Sequence, residues 1–437
     1  MKYYKLFIIP FFATASLLYS ADGGSQSVKR FQREIKEVNA SEIKTGDKTI
    51  AITDVVIIDG NGKEPIKNGT VIITGNKIVQ VGPSSAISIP AGAEVVHAAG
   101  MSLLPGLIDS HFHLDKMEGL PALFLQHGVT SVRDPGAWIE AYDGERKSGK
   151  MIPRLFLTGP HLDMYPPAYP DDAVVVRDST EAVEQVKKLA AQGATAVKIY
   201  FRIPVGMIRQ ICRKVHEYGL PVTAHLEIVE AMQAIEAGLD GIEHVTSFGQ
   251  SLISPQAAEQ YRQSVLKDNN ARKQGRYDVW KSIDVNSRKA DSVCRYVAAK
   301  KIFISPTLGP FEYQPEPDST DSVKLAGFRN MEKFTAKLKK AGARIVLGSH
   351  SSIPYAKHGW AYQREIELLA ESGLTNAEII VACTMENARY FRIDHKLGSI
   401  EKGKLADLLL VNGNPLEDIK AMRNIERVML NGVWVKP

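Results

Sequence analysis

Leu103-Leu-Pro-Gly-Leu-Ile-Asp-Ser-His-Phe-His113 is the stretch that decides the fold. Residues 103–108 form a short apolar run of the length of a buried strand, and the run ends in two histidines one residue apart. Successive side chains of an extended chain point to opposite faces, so His111 and His113 share a face. Two imidazoles so placed can grip one metal ion. A lone His-x-His pair also occurs by chance on surfaces and in cores, so its meaning depends on what lies around it.

The same unit recurs downstream. Short apolar strands are predicted at 129–133, 155–158, 194–200, 221–224, 241–243, 303–306 and 345–348, with helical stretches such as 180–192, 207–218 and 228–237 between most of them. Strands alternating with helices in this way predict an α/β fold, a (β/α)8 TIM barrel over roughly 103–390. A doubly wound open sheet usually carries a Gly-rich phosphate turn early on, and none is present. The segment 249–295 is longer and more polar than a simple crossover, and reads as a cover over the site or a wall of its pocket.

Both flanks of the barrel read as β structure. Runs at 49–58, 69–74 and 77–81 are punctuated by Asp59-Gly60, Asn61-Gly62 and Gly75-Asn76. Runs at 406–411 and 427–435 alternate likewise, with Asn431-Gly432 as a hairpin turn. The two pieces, 48–102 and 391–437, are expected to meet in space with the barrel inserted between them. Residues 22–47 are polar and charged, and read as a linker or mobile arm.

Residues 1–21 read as an export signal: Lys2 and Lys5 precede an apolar run, Leu6 to Tyr19, followed by small residues. The run is short for a membrane span, so no stable span is expected once the signal is removed, and the expected location is periplasmic or secreted. An uncleaved anchor is the alternative, because Leu18 and Tyr19 fit a cleavage site poorly. The formal net charge is +5, of which Lys2 and Lys5 contribute two. No basic stripe is interleaved with aromatics, which speaks against nucleic acid as a partner. Hydrophobic residues are 44% and charged residues 24%, ordinary globular values. Cys212, Cys294 and Cys383 are far apart and form no CxxC pair, so they read as buried small side chains.

The remaining chemistry sits at strand ends. His225 ends the strand at 221–224 and His244 the strand at 241–243. In a barrel, C-terminal strand ends face one mouth, so His111, His113, His225 and His244 converge there. Lys198 lies inside the apolar run Thr195-Ala-Val-Lys-Ile-Tyr200. Burial disfavours its ammonium. A neutral amine can capture carbon dioxide as a carbamate, an anion able to bridge two metals. The bland reading is a lysine that snorkels out or pairs with Asp134.

This ordered set, with Pro105-Gly-Leu-Ile-Asp-Ser-His-Phe-His113, Val197-Lys-Ile199, Ala224-His225, Ile242-Glu-His244 and the tail from Gly398 to Val411, resembles the amidohydrolase superfamily and its imidazolonepropionase and prolidase-related branch. The resemblance spans about residues 48–436. It implies a barrel with a β-sandwich flank formed from both chain ends. It also implies one or two divalent metals, usually zinc, on His111, His113, Lys198 (carboxylated at its side-chain nitrogen), His225 and His244. The activity implied is hydrolysis of carbon–nitrogen bonds in small amides, dipeptides, N-acyl amino acids or cyclic amides.

One position departs from the family pattern. The eighth strand ends in Gly348-Ser-His-Ser351, so His350 stands where a metal-binding, proton-accepting Asp is expected. An imidazole can ligate a metal or act as a base near neutrality, but not through the same nitrogen. Asp109, Asp115, Asp134, Glu227 and Glu243 are carboxylates that could compensate. The substitution leaves open a different chemistry on the same barrel (isomerisation, decarboxylation, ester hydrolysis) or a non-catalytic ligand-binding barrel. Tyr200 and His161 follow barrel strands and are candidate contacts to a small-molecule substrate. Arg364 reads as part of a solvated helix face. A homo-oligomer fits a barrel of this size, though no single feature demands one.

Overall fold

A strand buried on both sides must be apolar along its whole length, and short apolar runs separated by helices close most readily into a parallel barrel. In the computed structural model, which describes residues 33–115, 117–316 and 319–435, these runs do so. The barrel strands are Leu107–Asp109, Val129–Asp134, Arg154–Leu157, Val197–Ile199, Val222–His225, Gly241–Glu243, Phe303–Ser305 and Arg344–Ile345. The first three form one parallel ladder and the last five lie in another. Hydrogen bonds from Thr195 N to Leu157 O (2.8 Å) and from Ser110 N to Leu347 O (3.0 Å) join the two ladders at both seams. This is a TIM-barrel-type α/β fold. Leu107, Val132, Leu155, Val197, Val222, Ile242, Ile304 and Ile345 are all buried in one continuous core.

The run 103–108 is not one strand. Met101–Pro105 belongs to a different sheet, and the barrel begins at Leu107. Gly106 marks the crossing: a Cβ there would lie 2.2 Å from Thr130 Oγ1, so only glycine lets the chain pass so close to the second barrel strand. The other sheet has eight strands and is built from both chain ends. Leu408–Asn412 pairs antiparallel with Met101–Pro105, and Thr49–Ile57 lies on the far side of Met101–Pro105. Its strands enclose their own apolar cluster, with Ile52, Val71, Leu408 and Met429.

The expected mobile arm at 22–47 is corrected in its described part. Ile35 and Asn39 are buried, and Val38 N donates to Leu155 O. Asn39 clamps the third barrel strand, donating to Pro153 O and accepting from Leu155 N, each at 2.9 Å. The buried Arg154 guanidinium binds Glu37 on one side and Asp407 bidentately on the other, at 2.7 and 3.0 Å. The signal call at 1–21 lies outside the described residues, and among those described no helix is long and apolar enough to cross a membrane. Arg364 is also not on a solvated face: it is largely buried and engages Glu312, Glu367 and Glu371. The three cysteines are free and buried.

The long segment after the sixth strand folds into Gly249–Leu252, Pro255–Lys267, Ala271–Ser282 and Arg288–Lys300. Ala271–Ser282 lies against Ser322–Lys340, where a Cβ at Gly327 would approach Tyr277 O to 2.9 Å. Asn330 Nδ2 donates to Trp280 O and Ile283 O and fixes the end of Ala271–Ser282.

Candidate active site

The strand ends of the barrel bring the candidate ligands and substrate contacts to one cavity of about 430 Å³. His111, His113, Lys198, His225, His244, His350, Tyr200 and His161 all line it. Ring centroids lie 4.7 Å apart for His111 and His244, 4.5 Å for His225 and His244, and 4.7 Å for His113 and His350. Ligating nitrogens of His111, His244 and His350 come within 4.8 Å of one another. His111 Nε2 and His113 Nε2 are 3.1 Å apart, so His111 is common to both groupings.

Hydrogen bonds behind the rings fix which nitrogen carries the proton. His111 Nδ1 donates to Glu243 Oε2 at 2.7 Å, which leaves the Nε2 lone pair facing the cavity. Thr307 gives its hydroxyl proton to Pro306 O, so it accepts from His244 Nδ1, and the His244 Nε2 lone pair is left free. His225 Nε2 stands 3.0 Å from Glu227 Oε1 and 3.2 Å from Arg276 Nη2; the carboxylate is nearer and takes its hydrogen. His225 Nδ1 is then a buried nitrogen with no hydrogen-bond partner. A carboxylate behind a ligating imidazole is the usual support of a metal site. Asp134 Oδ1 lies 3.6 Å from His113 Nδ1, a looser version of the same arrangement.

Burial keeps these imidazoles neutral. It holds His111, His244 and His350 well below the usual histidine range, with Lys198 and neighbouring histidines adding to the effect. It pushes His225 and His161 down to about 3. His113 is the exception, because hydrogen bonding and charge from Asp134 outweigh its burial and raise it. Burial also lowers Lys198 to about 8, against the opposing charge of Glu243, so part of it is free amine near neutral pH. The neutral nitrogens of His111, His244 and His350, close to one another, and the unpartnered Nδ1 of His225 in the same cavity fit a divalent transition metal.

The backbone is strained here. His244, Thr307, His350 and Ser351 have φ of 66°, 44°, 61° and 58°. Left-handed conformations at non-glycine residues cluster at functional sites, where surrounding bonds enforce them. His350 N donates to His111 O at 2.6 Å, and Ser351 Oγ accepts from His113 N at 2.6 Å. Asp109 binds the backbone N–H groups of both His111 and Ser349 at 3.0 Å, tying the first strand end to the eighth. Gly348 permits that approach, since a Cβ would lie 2.5 Å from His111 Cβ.

Sequence reasoning missed the facing wall. Tyr169, Arg272, Lys273, Arg276, Tyr277 and Phe311 complete the cavity. Arg276 is ion-paired with Glu227, which also accepts from the Tyr261 hydroxyl at 2.6 Å. Only the length and polarity of 249–295 hinted at this wall. Of the compensating carboxylates, Asp115 lines the cavity, whereas Asp109, Asp134, Glu227 and Glu243 stand behind the imidazoles and the backbone.

A ring of imidazoles able to hold a metal ion thus lies at the C-terminal mouth of a TIM-barrel-type fold. Its lineage is equally plain: a sequence profile of the Amidohydrolase family matches residues 102–435, and the chain belongs to that family. Adenine deaminase from Paracoccus denitrificans (strain Pd 1222) is 32% identical over 95 residues, 20% of this chain and 16% of that protein. Imidazolonepropionase from Arthrobacter sp. (strain FB24) is 49% identical over 49 residues, 11% of this chain and 12% of that protein. The matches to these curated relatives thus cover a small part of their lengths. Solved structures align far more completely. A Bifidobacterium longum structure assigned as a prolidase has a TM-score of 0.69 at 25% identity, covering 89% of this chain and 95% of that one. A Xaa-Pro dipeptidase with bound methionine in its active site has a TM-score of 0.68 at 20% identity, covering 89% and 100%.

Proposed function

We propose that this protein hydrolyses a carbon–nitrogen bond in a small amide, dipeptide, N-acyl amino acid or cyclic amide with the help of a divalent metal. The observation that carries the reading is the convergence of His111, His225 and His244, with their proton-bearing nitrogens turned outward to Glu243, Glu227 and Thr307. Zinc is the ion we favour, on the neutral nitrogen donors. Such an ion supplies Lewis acidity, polarising the scissile carbonyl and making water acidic enough to ionise near neutrality.

In this reading His111, His244 and His350 hold an ion, on the closeness of their nitrogens. His113, His225 and Lys198 complete the set and provide for a second ion. The free-amine fraction of Lys198 supports its carboxylation: the nitrogen lone pair attacks the carbon of carbon dioxide and an N–H proton leaves to solvent. His350 cannot use one nitrogen both to bind an ion and to take a proton, and the distances favour the ion. Proton transfer then falls to another group of the wall. Tyr200, 4.5 Å from His161 and 4.6 Å from His225 between ring centroids, orients the substrate together with His161.

His350 also favours one second reading. Without a carboxylate at that position, the same barrel could run an isomerisation, a decarboxylation or an ester hydrolysis. The sheet from both chain ends is taken as a sandwich-like flank, on its separate apolar cluster. Export to the periplasm or medium rests on Lys2, Lys5 and the apolar run from Leu6 to Tyr19. N-terminal sequencing of the mature protein tests it.

The deciding experiment measures metal per chain by plasma mass spectrometry and then turnover of an amide panel. About two ions with amide cleavage supports the bridged form, and about one ion supports the His111–His244–His350 site alone. No ion after incubation with zinc, manganese or cobalt overturns the reading. Metal with turnover of other bonds only would favour the second.

A further inference from the structure

We infer that Arg272, on the helix Ala271–Ser282, is a specificity-determining residue that binds a carboxylate on the substrate, with Lys273 beside it. This rests on the hydrolase reading for the chemistry and adds the substrate class. Arg272 is 4% exposed yet lines the cavity. Among the described residues it makes no ion pair, and its Nε is buried without a hydrogen-bond partner. Its surroundings are aromatic: the guanidinium carbon lies 5.2 Å from the Tyr169 ring centroid and 5.6 Å from that of Phe201.

A guanidinium keeps its charge at any ordinary pH, and a buried charge without a counter-ion is costly. The neighbouring Arg276 shows the contrast. It reaches the same cavity, but its charge is matched by Glu227 within the protein. The matching anion for Arg272 must therefore come from outside. A guanidinium edge turned to the cavity meets a planar carboxylate through two parallel hydrogen bonds. Asp115 and Asp172 line the cavity too, so it is polarised rather than uniformly basic.

The position suits an amide substrate. Tyr169 and Tyr200 are 5.9 Å apart between centroids, and Tyr200 touches His225. A chain of neighbouring rings thus runs from Arg272 through Tyr169 and Tyr200 to His225. Dipeptides and N-acyl amino acids place a carboxylate one carbon from the scissile nitrogen, on the leaving-group side.

The test is calorimetric titration of the full chain with a panel of N-acetyl-L-amino acids and their uncharged α-carboxamides. Wild type is expected to bind at least one carboxylate about 10-fold or more tightly than its carboxamide. Arg272→Gln should reduce that preference to within about 2-fold, with Arg272→Lys intermediate. Equal binding of each acid and amide by wild type, no binding of either, or a preference that survives in Arg272→Gln overturns the inference. If Arg272→Gln does not fold, the wild-type comparison and Arg272→Lys still decide. The binding readout needs no turnover. A carboxylate preference that depends on Arg272, with no turnover of the wider amide panel by the metal-loaded protein, would sink the hydrolase reading and leave this one standing.

Discussion

Replacing Glu243 with Gln should weaken metal binding without removing any ligand. Glu243 is fully buried and accepts from His111 Nδ1 (2.7 Å), Arg133 Nη2 (3.1 Å) and Thr223 Oγ1 (2.6 Å), which in turn accepts from the Tyr390 hydroxyl (2.9 Å). Three donors surround a group that accepts only. The glutamine amide fits the same space, but one of its two polar atoms becomes a donor. If that NH2 faces His111, it favours the tautomer with hydrogen on Nε2, where the lone pair is needed; if it faces Arg133, donor meets donor. Loss of a partner behind a ligating imidazole costs about 10–100-fold in metal affinity, or roughly 1.4–2.8 kcal/mol. The apo protein should also lose about 2 kcal/mol, below the usual cost of breaking a buried pair, because Arg133 keeps its bond to Ser110 O and its stacking on Tyr390. Zinc affinity by chelator competition and urea unfolding of the apo protein read the two effects separately. A zinc affinity within 3-fold of wild type would refute the claim that Glu243 sets the His111 tautomer.

His350→Ala should lower metal affinity at least about 10-fold, with His350→Asp regaining most of it; unchanged metal content in the alanine variant would exclude His350 from the ligand set. Gly348→Ala drives a methyl to 2.5 Å from His111 Cβ and Ser305 Oγ and should cost about 1–3 kcal/mol in urea unfolding, with loss of bound metal. Glu332 is pushed up to about 7 by burial and then by Glu371 and Glu312. The folded state therefore holds a proton that the unfolded chain has released between its ordinary pKa of 4.5 and about 7, and stability falls as pH rises through that window. Discounted for partial exposure, Glu332→Gln should be about 1 kcal/mol more stable than wild type at pH 8 and equal to it at pH 4, as pH-dependent melts will show. Arg154→Ala strands Asp407 in the interior and leaves Glu37 with Lys396 alone, and should cost about 3–5 kcal/mol, with limited proteolysis opening new cuts within 33–47.

The barrel was legible because parallel strands buried on both faces must be written as short apolar runs, and a parallel barrel turns their ends to one side. That rule placed His111, His113, His225 and His244 in one cavity, while His350 was reached only through the family pattern. It failed where neighbours distant in sequence decide. The arm at 33–47 looks like linker because its partners are remote: Glu37 meets Arg154 across 117 positions, and Arg154 meets Asp407 across 253. The run 103–108 reads as one strand because the reason for its break, Thr130 against Gly106, is not local. The wall bearing Arg272 was illegible because a polar helix pattern does not say which face turns to the cavity. Gly327 against Tyr277 and Asn330 on Trp280 set that.

The exchange of a carboxylate for His350 makes sense only when the positions of charge are considered together. Glu243 and Glu227 stand behind imidazoles, where they orient rings and leave the donors that face the cavity neutral, while Asp134 favours the charged form of His113. Imidazoles cancel none of a divalent ion's charge at the point of contact; only a carboxylated Lys198 would, and a carboxylate in place of His350 would cancel one unit more. Uncancelled charge strengthens polarisation of a bound carbonyl and raises the attraction for an anionic substrate. The facing wall adds Arg272 without a protein counter-ion, while matching Arg276 to Glu227. Two independent features, one at the eighth strand end and one on a helix across the cavity, therefore favour negative charge on the ligand. Restoring the carboxylate through His350→Asp should reduce binding of N-acetyl-amino-acid anions to the metal-loaded protein more than it reduces binding of their carboxamides. Equal reductions would separate the role of His350 from the charge of the substrate.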